Sequence, residues 1–368
     1  MTSTIAKDLR THLRNSIEMS KESQKQVAAK LGISSSYLSK FLNGKDVSFW
    51  IVHKIINHID KENEIELILN YFKEGISSKN IPAALEYCYS KQLYDYTSVL
   101  AQEYKNKRNS KTQELCSLYS LMLESRFIFE SNTFLDNLRN FKNNTFLETK
   151  IMVKVLQVYY YYLNGHYDLT IYTIDQINDL LFQVNDPFLK MAYGARVDEI
   201  QVNIYLKQKT ELIQSRKIAN RILDRNFSTA HNITAYHILG LSYFPESYEQ
   251  SISYYLKCIE LYSKFPDRQA EILENKEEIS FLQKYWNKNI HDEFAVSEFS
   301  MLLKHDGDLS KYYKDERYHK YALLFDGIKE SSSEKLLLSH HYFSKSKDYF
   351  RASFPKNELN RIGFRYTL

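Results

Sequence analysis

Residues 22–44, ESQKQVAAKLGISSSYLSKFLNG, decide the reading of this chain. Ser23 and Gln26 stand in the S-x-x-Q spacing that satisfies two free backbone N–H groups reciprocally, so a helix starts there. Val27, Ala28 and Leu31 fall on one face of that helix. Gly32 follows, where the chain must turn left-handed. Ile33 plugs the core at the turn. Ser34 caps a second helix whose inward residues are Leu38, Phe41 and Leu42, and Asn43-Gly44 stops it. Two short helices joined by a Gly-containing turn form the unit that lays its second helix in a DNA major groove.

The outward residues agree with that reading. Subtracting the buried set leaves Ser35, Ser36, Ser39, Lys40 and Asn43 on the second helix, and Lys25 and Lys30 on the first. Short hydroxyl and amide groups suit close approach to base edges; lysines and helix N-termini suit phosphates. With Gln26, Ser34 and Tyr37 these give the candidate DNA contacts Lys25, Gln26, Ser34, Ser35, Ser36, Tyr37, Ser39, Lys40 and Asn43. The competing interpretation is a plain helical hairpin in an all-helical protein.

The net charge of the 368-residue chain is +4. Within residues 1–44, Lys7, Arg10, Arg14, Lys21, Lys25, Lys30 and Lys40 outnumber Asp8, Glu18 and Glu22 by the same four, so the remainder is formally neutral. A basic end on a neutral body is what a protein meeting a polyanion at one end requires. Nine glycines and five prolines are few for this length, which favours long helices over hairpin-rich sheets. Cys88, Cys116 and Cys258 are isolated thiols without metal-ligand or disulfide spacing, as in a reducing cytosol. Lys7, Asp8 and Arg10 interrupt any signal-peptide core, and no apolar run approaches the ~18 residues of a membrane span. The expectation is a cytoplasmic, soluble protein without membrane contact.

Leu9, Leu13 and Ile17 make a first helix packing on the motif, and Ser48 is placed to cap another with Ile51, Val52, Ile55, Ile56 and Ile59 inward. These complete a DNA-binding domain over residues 1–62. Residues 63–80 form a connecting helix, Glu64–Phe72, and a hinge at Gly75–Asn80. Residues 81–368 then read as helix after helix: one opened by Asn80 and Pro82, then Leu115–Phe129, Leu147–Leu163, Tyr167–Phe182, Pro187–Leu206, Leu212–Asn226, His231–Tyr243, Tyr248–Phe265, Arg268–Asn287 and Ser333–Phe354.

One helix pair fits the tetratricopeptide pattern of about 34 residues: Tyr236, Leu239, Gly240 and Tyr243, then Ser251, Tyr255 and Cys258. A second is partial, through Tyr161, Gly165, Tyr167, Thr170 and Ile174. The fold class is therefore all-α: an N-terminal helix-turn-helix domain followed by a degenerate tetratricopeptide-like solenoid. Thirty tyrosines and twenty-one phenylalanines make its interior aromatic. No nucleophile elbow, phosphate loop, dinucleotide fingerprint or H-E-x-x-H is present, so the chain does not read as an enzyme. His305-Asp306-Gly307-Asp308 reads as a turn rather than a metal site, and His340-His341 as one surface and one packed histidine. No metal or cofactor is expected. A solenoid of this kind presents a concave surface on which Asn or Gln can hold a peptide backbone and carboxylates a basic side chain.

Five stretches carry a family resemblance: AALEY at 83–87, YxLNGHY at 161–167, RVxxxxxNIxL at 196–206, SFLxxxW at 280–286, and YFSKSKDYFRASFPKNELNRIG at 342–363. With the N-terminal motif, they make the chain resemble the peptide-sensing regulators of Gram-positive bacteria (the Rap, Rgg, NprR, PlcR and PrgX group). Among these it is most similar to the AimR family, the arbitrium receptors of Bacillus phages. The resemblance implies a homodimer that binds double-stranded operator DNA and takes up a short signalling peptide, a hexapeptide, to control lysis against lysogeny. Carried over by position, it places the backbone-binding asparagine on Asn203, a groove aromatic on Phe281, an acid–aromatic pair on Asp348 and Phe350, and a further acid on Glu298. Asp348 and Glu298 would grip an arginine of the peptide. Arg196, Leu241 and Phe244 complete the implied peptide set.

This chain also departs from the family. The second groove asparagine falls on Leu241, which cannot hold a backbone. The two arginines for the peptide's carboxylate fall on Pro82 and near Ala230, with His231 the cationic candidate there. The chain stops five residues past Gly363, so dimerisation would use another part of the C-terminal helices. Two other readings stay open: a chromosomal quorum-sensing regulator with the same biochemistry, and a repeat protein that sequesters a protein partner, as Rap-like members do.

Overall fold

The computed structural model describes residues 9–106, 109–126, 128–141 and 146–364, so Lys7 and Asp8 lie outside the described residues. Among these there are twenty α-helices and no strand. In chain order they are α1 Leu9–Met19, α2 Gln24–Leu31, α3 Ser35–Leu42, α4 Phe49–Ile59, α5 Glu64–Lys73, α6 Ile81–Ser90, α7 Tyr94–Lys105, α8 Ser110–Ser125, α9 Asn132–Arg139 and α10 Leu147–Leu163. There follow α11 Tyr167–Leu181, α12 Pro187–Lys207, α13 Leu212–Arg225, α14 Thr229–Tyr243, α15 Tyr248–Tyr262, α16 Gln269–Tyr285, α17 Glu298–Lys304, α18 His319–Glu330, α19 Ser333–Lys345 and α20 Tyr349–Arg361. The chain divides into two compact units, residues 1–160 with 172–194, and residues 161–171 with 195–368.

In the first unit the capping box forms as read: Ser23 accepts from the Gln26 amide, and Gln26 Oε1 accepts from the Ser23 N–H at 2.8 Å. Gly32 takes φ 63°, Ser34 accepts from the Tyr37 amide at 3.2 Å, and Gly44 takes φ 79°. Val27, Ala28, Leu31, Leu38, Phe41 and Leu42 are all buried, with Leu9, Leu13 and Ile17 of α1 beneath them. Arg14 adds a feature the sequence did not disclose. It donates to the Leu42 carbonyl at 2.6 Å and to Asn43 Oδ1 at 2.8 Å, so a cation sits where the α3 dipole is negative.

Ser48 occupies the N-cap position of α4 but makes no side-chain cap bond. The buried amide of Asn80 acts instead: its Oδ1 accepts the Phe49 N–H, and its Nδ2 donates to the Val47 carbonyl at 2.8 Å. Asn80 consequently does not cap its own helix α6. Around this bond Phe49 meets Phe72 (5.5 Å), Tyr87 (5.6 Å) and Phe188 (4.9 Å). Burying such rings removes large apolar area, and edge-to-face pairs add about 0.5–1.5 kcal/mol each. Glu64 joins α5 to α6 through the Tyr87 hydroxyl at 2.9 Å and Lys91 at 3.1 Å, with His53 of α4 at 3.4 Å.

In the second unit, α13 to α16 and α18 to α20 each pack chiefly on the next helix in sequence, as a solenoid requires. The α14–α15 pair realises the tetratricopeptide reading. Ser251 Oγ donates to the Gly240 carbonyl at 2.8 Å, and a Cβ on Gly240 would stand 3.2 Å from the fully buried Tyr255 ring.

Seven of the sequence-read helices between 147 and 287 have ends within three residues of those expected. Others differ. The expected Ser333–Phe354 helix breaks at 346–348, where Lys347 adopts φ 58° and Asp348 caps a new helix by accepting from the Arg351 amide at 3.0 Å. Helices α7, α9, α17 and α18 were not anticipated, and α8 begins at Ser110 rather than Leu115. His305–Asp308 is a turn, with Asp306 at φ 53° and Asp308 accepting from Ser310.

Candidate functional site

The outer face of the helix-turn-helix unit is open. Ser34, Ser35, Ser36, Tyr37, Lys40 and Asn43 are exposed and Ser39 half-exposed; Lys25 and Gln26 are exposed at the start of α2. The face is not uniformly available for contacts. Gln26 Oε1 and the Ser34 hydroxyl oxygen are taken by the caps. The Asn43 side chain is held between Arg14 and Ser39 Oγ (3.2 Å), which orients it and reduces its free hydrogen-bonding capacity. Lys30 pairs with Glu22 on the surface, while the Lys40 ammonium lies 5.5 Å from the Tyr37 ring centroid. Among the described residues, Ser35, Ser36, Lys40 and Lys25 are therefore exposed polar and cationic groups of this face that no cap or ion pair occupies.

In the second unit, α12, α14, α15, α16 and the start of α18 enclose a cavity of about 430 Å³. Asn203 and Phe281, expected from the sequence, both line it. Asn203 donates one N–H to the Glu199 carbonyl at 3.0 Å, a bond that restrains the amide at the cavity wall. Phe281 is packed by Tyr321 (4.6 Å) and Phe299 (5.7 Å).

The other expected residues lie elsewhere. Leu241 is wholly buried in the apolar core. Phe244 is stacked on Phe354 at 5.1 Å and its carbonyl accepts from the Trp286 indole, so it too is core. Phe350 packs on Phe354 at 5.2 Å. Glu298 is exposed on α17 and paired with Lys311 and the Tyr312 hydroxyl. His231 is buried at the first turn of α14, bonded through Nδ1 to Ser228 Oγ at 2.6 Å. Arg196 is buried and does not line the cavity. Apolar or locally bonded partners outweigh groove exposure at Leu241, Phe244, Phe350, Glu298 and His231.

Asp348 is occupied by its own chain. Arg351 donates to it at 3.0 Å and also reaches Glu278 at 2.6 Å. Burial pushes the Asp348 carboxyl up, but Arg351, Lys207 and the Arg351 amide outweigh it and hold it below the ordinary carboxylate value. A buried charge needs such partners, so Asp348 is not a vacant receptor for a ligand cation.

The sequence did not single out the groups that give the cavity its polarity: Glu274, Glu277 and Glu278 on α16, and Arg317. Glu277 is nearly fully buried and accepts from Ser297 Oγ, from the Tyr318 hydroxyl at 3.0 and 3.3 Å, and from Arg317 at 2.8 Å. His237 lies between Asn275 and Tyr255; burial, then Lys207 and Arg351, lower its pKa to about 4, so it is neutral at pH 7. The one available signal was the acidic doublet Glu277-Glu278, separated by Ile279 from the SFLxxxW stretch. Among the described residues no group of three or more His, Cys, Asp or Glu is placed to hold a metal ion, and no helix is long and apolar enough to cross a membrane.

The fold is shared with solved proteins. The structure of selenomethionine phAimR matches with a TM-score of 0.75 at 20% identity, covering 97% of each chain. A structure of phAimR with a ligand matches with a TM-score of 0.67 at 20% identity, covering 86% of this chain and 98% of that one. No curated protein matches in sequence. The family model described as AimR transcriptional regulator-like matches residues 64–361, from α5 through the last helix, outside the helix-turn-helix unit. That span is most of the chain, and this protein belongs to the AimR transcriptional regulator-like family, whose members are regulators and not enzymes.

Proposed function

We propose that this regulator binds double-stranded operator DNA through residues 1–62 and a short secreted peptide through the repeat domain, residues 81–368, with residues 63–80 connecting them. The peptide controls operator occupancy of a homodimer and thereby a phage lysis–lysogeny decision. The observation that carries the reading is the pairing of an open helix-turn-helix face with a polar, aromatic-walled cavity in a chain of this family. The fold it shares with ligand-bound phAimR supports the same reading.

The cavity's chemistry suits a peptide better than an apolar ligand. Asn203 and Thr234 offer backbone-like partners, Phe281 and Tyr321 offer ring faces, and Glu274 offers an exposed carboxylate. The energetic demand is small. About 3 kcal/mol of differential affinity between peptide-favoured and DNA-favoured states shifts operator binding more than a hundredfold.

The deciding experiment is a titration of labelled DNA from upstream of the gene with the full-length protein at low salt. It is run with and without the peptide encoded next to that gene. Nanomolar binding that the peptide alters by tenfold or more is expected. Absence of DNA binding in both states would transfer the reading to sequestration of a protein partner.

A further inference from the structure

The first unit carries a groove between α9 and α10, apart from both sites above. Tyr160 Oη donates to Asn132 Oδ1 at 2.7 Å and pins the start of α9 against the end of α10. Toward the other end of α9 the two helices leave a groove of about 220 Å³. From α10 come Lys150, Val153, Lys154 and Gln157, the i, i+3, i+4, i+7 stripe of a single helix face. Facing them are Leu135 and Leu138 of α9 and Phe141 of the turn that follows. Leu138 is buried, while Leu135, Phe141 and Val153 are half-buried, so the floor is apolar and can be reached.

The charge along the groove has one sign. Arg139, Lys150 and Lys154 line it, and none of the residues lining it is acidic. Lys150 is exposed and makes no ion pair among the described residues. Arg139 pairs with Asp136 as an exposed i, i+3 couple, a contact that contributes little. Lys154 is half-buried, and its ammonium donates to the neutral amide oxygen of Gln176. Burial lowers its pKa, with no carboxylate beside it to offset the effect. Glu148, the one acid of α10, is paired with Lys111 at 2.7 Å. A cation taken partly out of water in this way gains more from an incoming anion than a fully exposed lysine does.

We propose that this groove docks a protein partner through an amphipathic acidic helix, with apolar anchors on the floor and carboxylates against the basic rim. Two facing helix stripes leave a trough that a third helix fills, its anchors recurring at the same three- and four-residue spacing. The volume argues against a free small molecule, because such pockets begin near about 300 Å³ and enclose most of their ligand. The floor argues against nucleic acid, whose phosphates would meet the rim but leave Leu135, Leu138 and Val153 against a polar backbone. No residue of the helix-turn-helix face or of the repeat-domain cavity lines this groove, so the proposal depends on neither the DNA nor the peptide reading.

The test screens full-length protein with three libraries of helix-favouring peptides about 16 residues long. The first places Leu, Ile, Met or Phe at i, i+3, i+4 and i+7 and flanks them with Glu and Asp. The second keeps those anchors with Lys and Arg flanks; the third keeps the acidic flanks and replaces every anchor by Ala. The first is expected to yield binders at least about tenfold tighter than the best of the other two. The strongest is then titrated on Lys150→Glu and Val153→Asp. Each should weaken it by about tenfold or more, and Lys150→Glu should gain affinity for the basic library. Lys150→Glu alters only an exposed side chain, so it carries the test even if Val153→Asp unfolds. Capture from no library, equal capture of acidic and basic peptides, or binding that Lys150→Glu leaves intact overturns the proposal. Duplex DNA that loses affinity on Lys150→Glu would assign the rim to phosphates, and a changed sedimenting mass would assign the groove to a second copy of this chain. Either result overturns it too.

Discussion

Asn80 Oδ1 accepts the backbone N–H of Phe49 at 2.9 Å, joining positions 31 apart in sequence and starting α4 from outside it. The same buried amide holds the Val47 carbonyl. Asn80→Ala orphans a buried donor and a buried acceptor, at about 1–3 kcal/mol each. Ser48→Ala, at the N-cap residue itself, is expected to change stability by less than about 0.5 kcal/mol, because its hydroxyl makes no cap bond. Urea unfolding of the two variants checks the ranking; equal losses would refute it.

Arg351 is buried between Asp348 and Glu278. Arg351→Met leaves two carboxylates in a low-dielectric site without the cation that hydrogen-bonds both, with only Lys207 nearby. The expected loss is about 3–5 kcal/mol, seen as a large drop in melting temperature. The drop should be milder at pH 4, where the orphaned acids can take up protons.

Two pH windows follow from the buried ionisable groups. His237 is held at about 4 against an ordinary 6.5, by burial first and then by Lys207 and Arg351. The unfolded chain takes up a proton that the folded one refuses, so this stabilisation is complete above pH 6.5 and is lost as pH falls toward 4. Glu64 is at about 2 against 4.5: burial would raise it, but the hydrogen bond with His53 and the charge of Lys91 outweigh burial. Its contribution is complete above pH 4.5 and is lost as pH falls toward 2. Each is worth up to about 3 kcal/mol. His237→Gln should flatten the upper window alone and Glu64→Gln the lower, measured as stability against pH.

Burial pushes the Cys88 and Cys258 thiols up to about 12 and Cys116 to about 11. Thiolate is the reactive form, so native protein should leave all three unmodified by a thiol-disulfide reagent for many minutes. All three should react once denaturant is added. Rapid labelling of any one without denaturant would contradict the buried placement.

If Lys40 meets a phosphate, Lys40→Gln should reduce the slope of log affinity against log salt by about one and leave sequence preference intact. Ser36→Ala should instead reorder the preferred sequences. Asn43→Ala is expected to act mainly on stability, since Asn43 is tied to Arg14 and Ser39.

The helix-turn-helix unit was legible because its signals are local: a cap, a glycine and a three-four spacing all lie within a few residues of what they control. Ser48 shows the limit of that logic. Its position was right, but the amide that does the capping comes from Asn80. The break after Lys345 was hidden because it uses neither Gly nor Pro; Lys347 takes positive φ, which few non-glycine residues do. The cavity was half legible. Asn203 and Phe281 were found through resemblance, while Arg317 and Glu277, 40 positions apart, give no sign in sequence that they meet. Phe244 and Phe350, which resemblance also assigned to the groove, pack on Phe354, and an aromatic serves a core as readily as a groove.

Ser23, Ser34, Ser131, Ser228, Ser247, Ser297 and Ser332 each accept from the amide three residues on, so seven of the described helices begin with one repeated device. Every such instruction is complete within four consecutive residues, and a nascent chain can execute it before any distant partner has been synthesised. Short-range closure of this kind lowers the loop entropy spent before contacts form, which favours rapid, segment-by-segment assembly. Damage should be equally confined: deleting one hydroxyl frays one rod and leaves its neighbours standing.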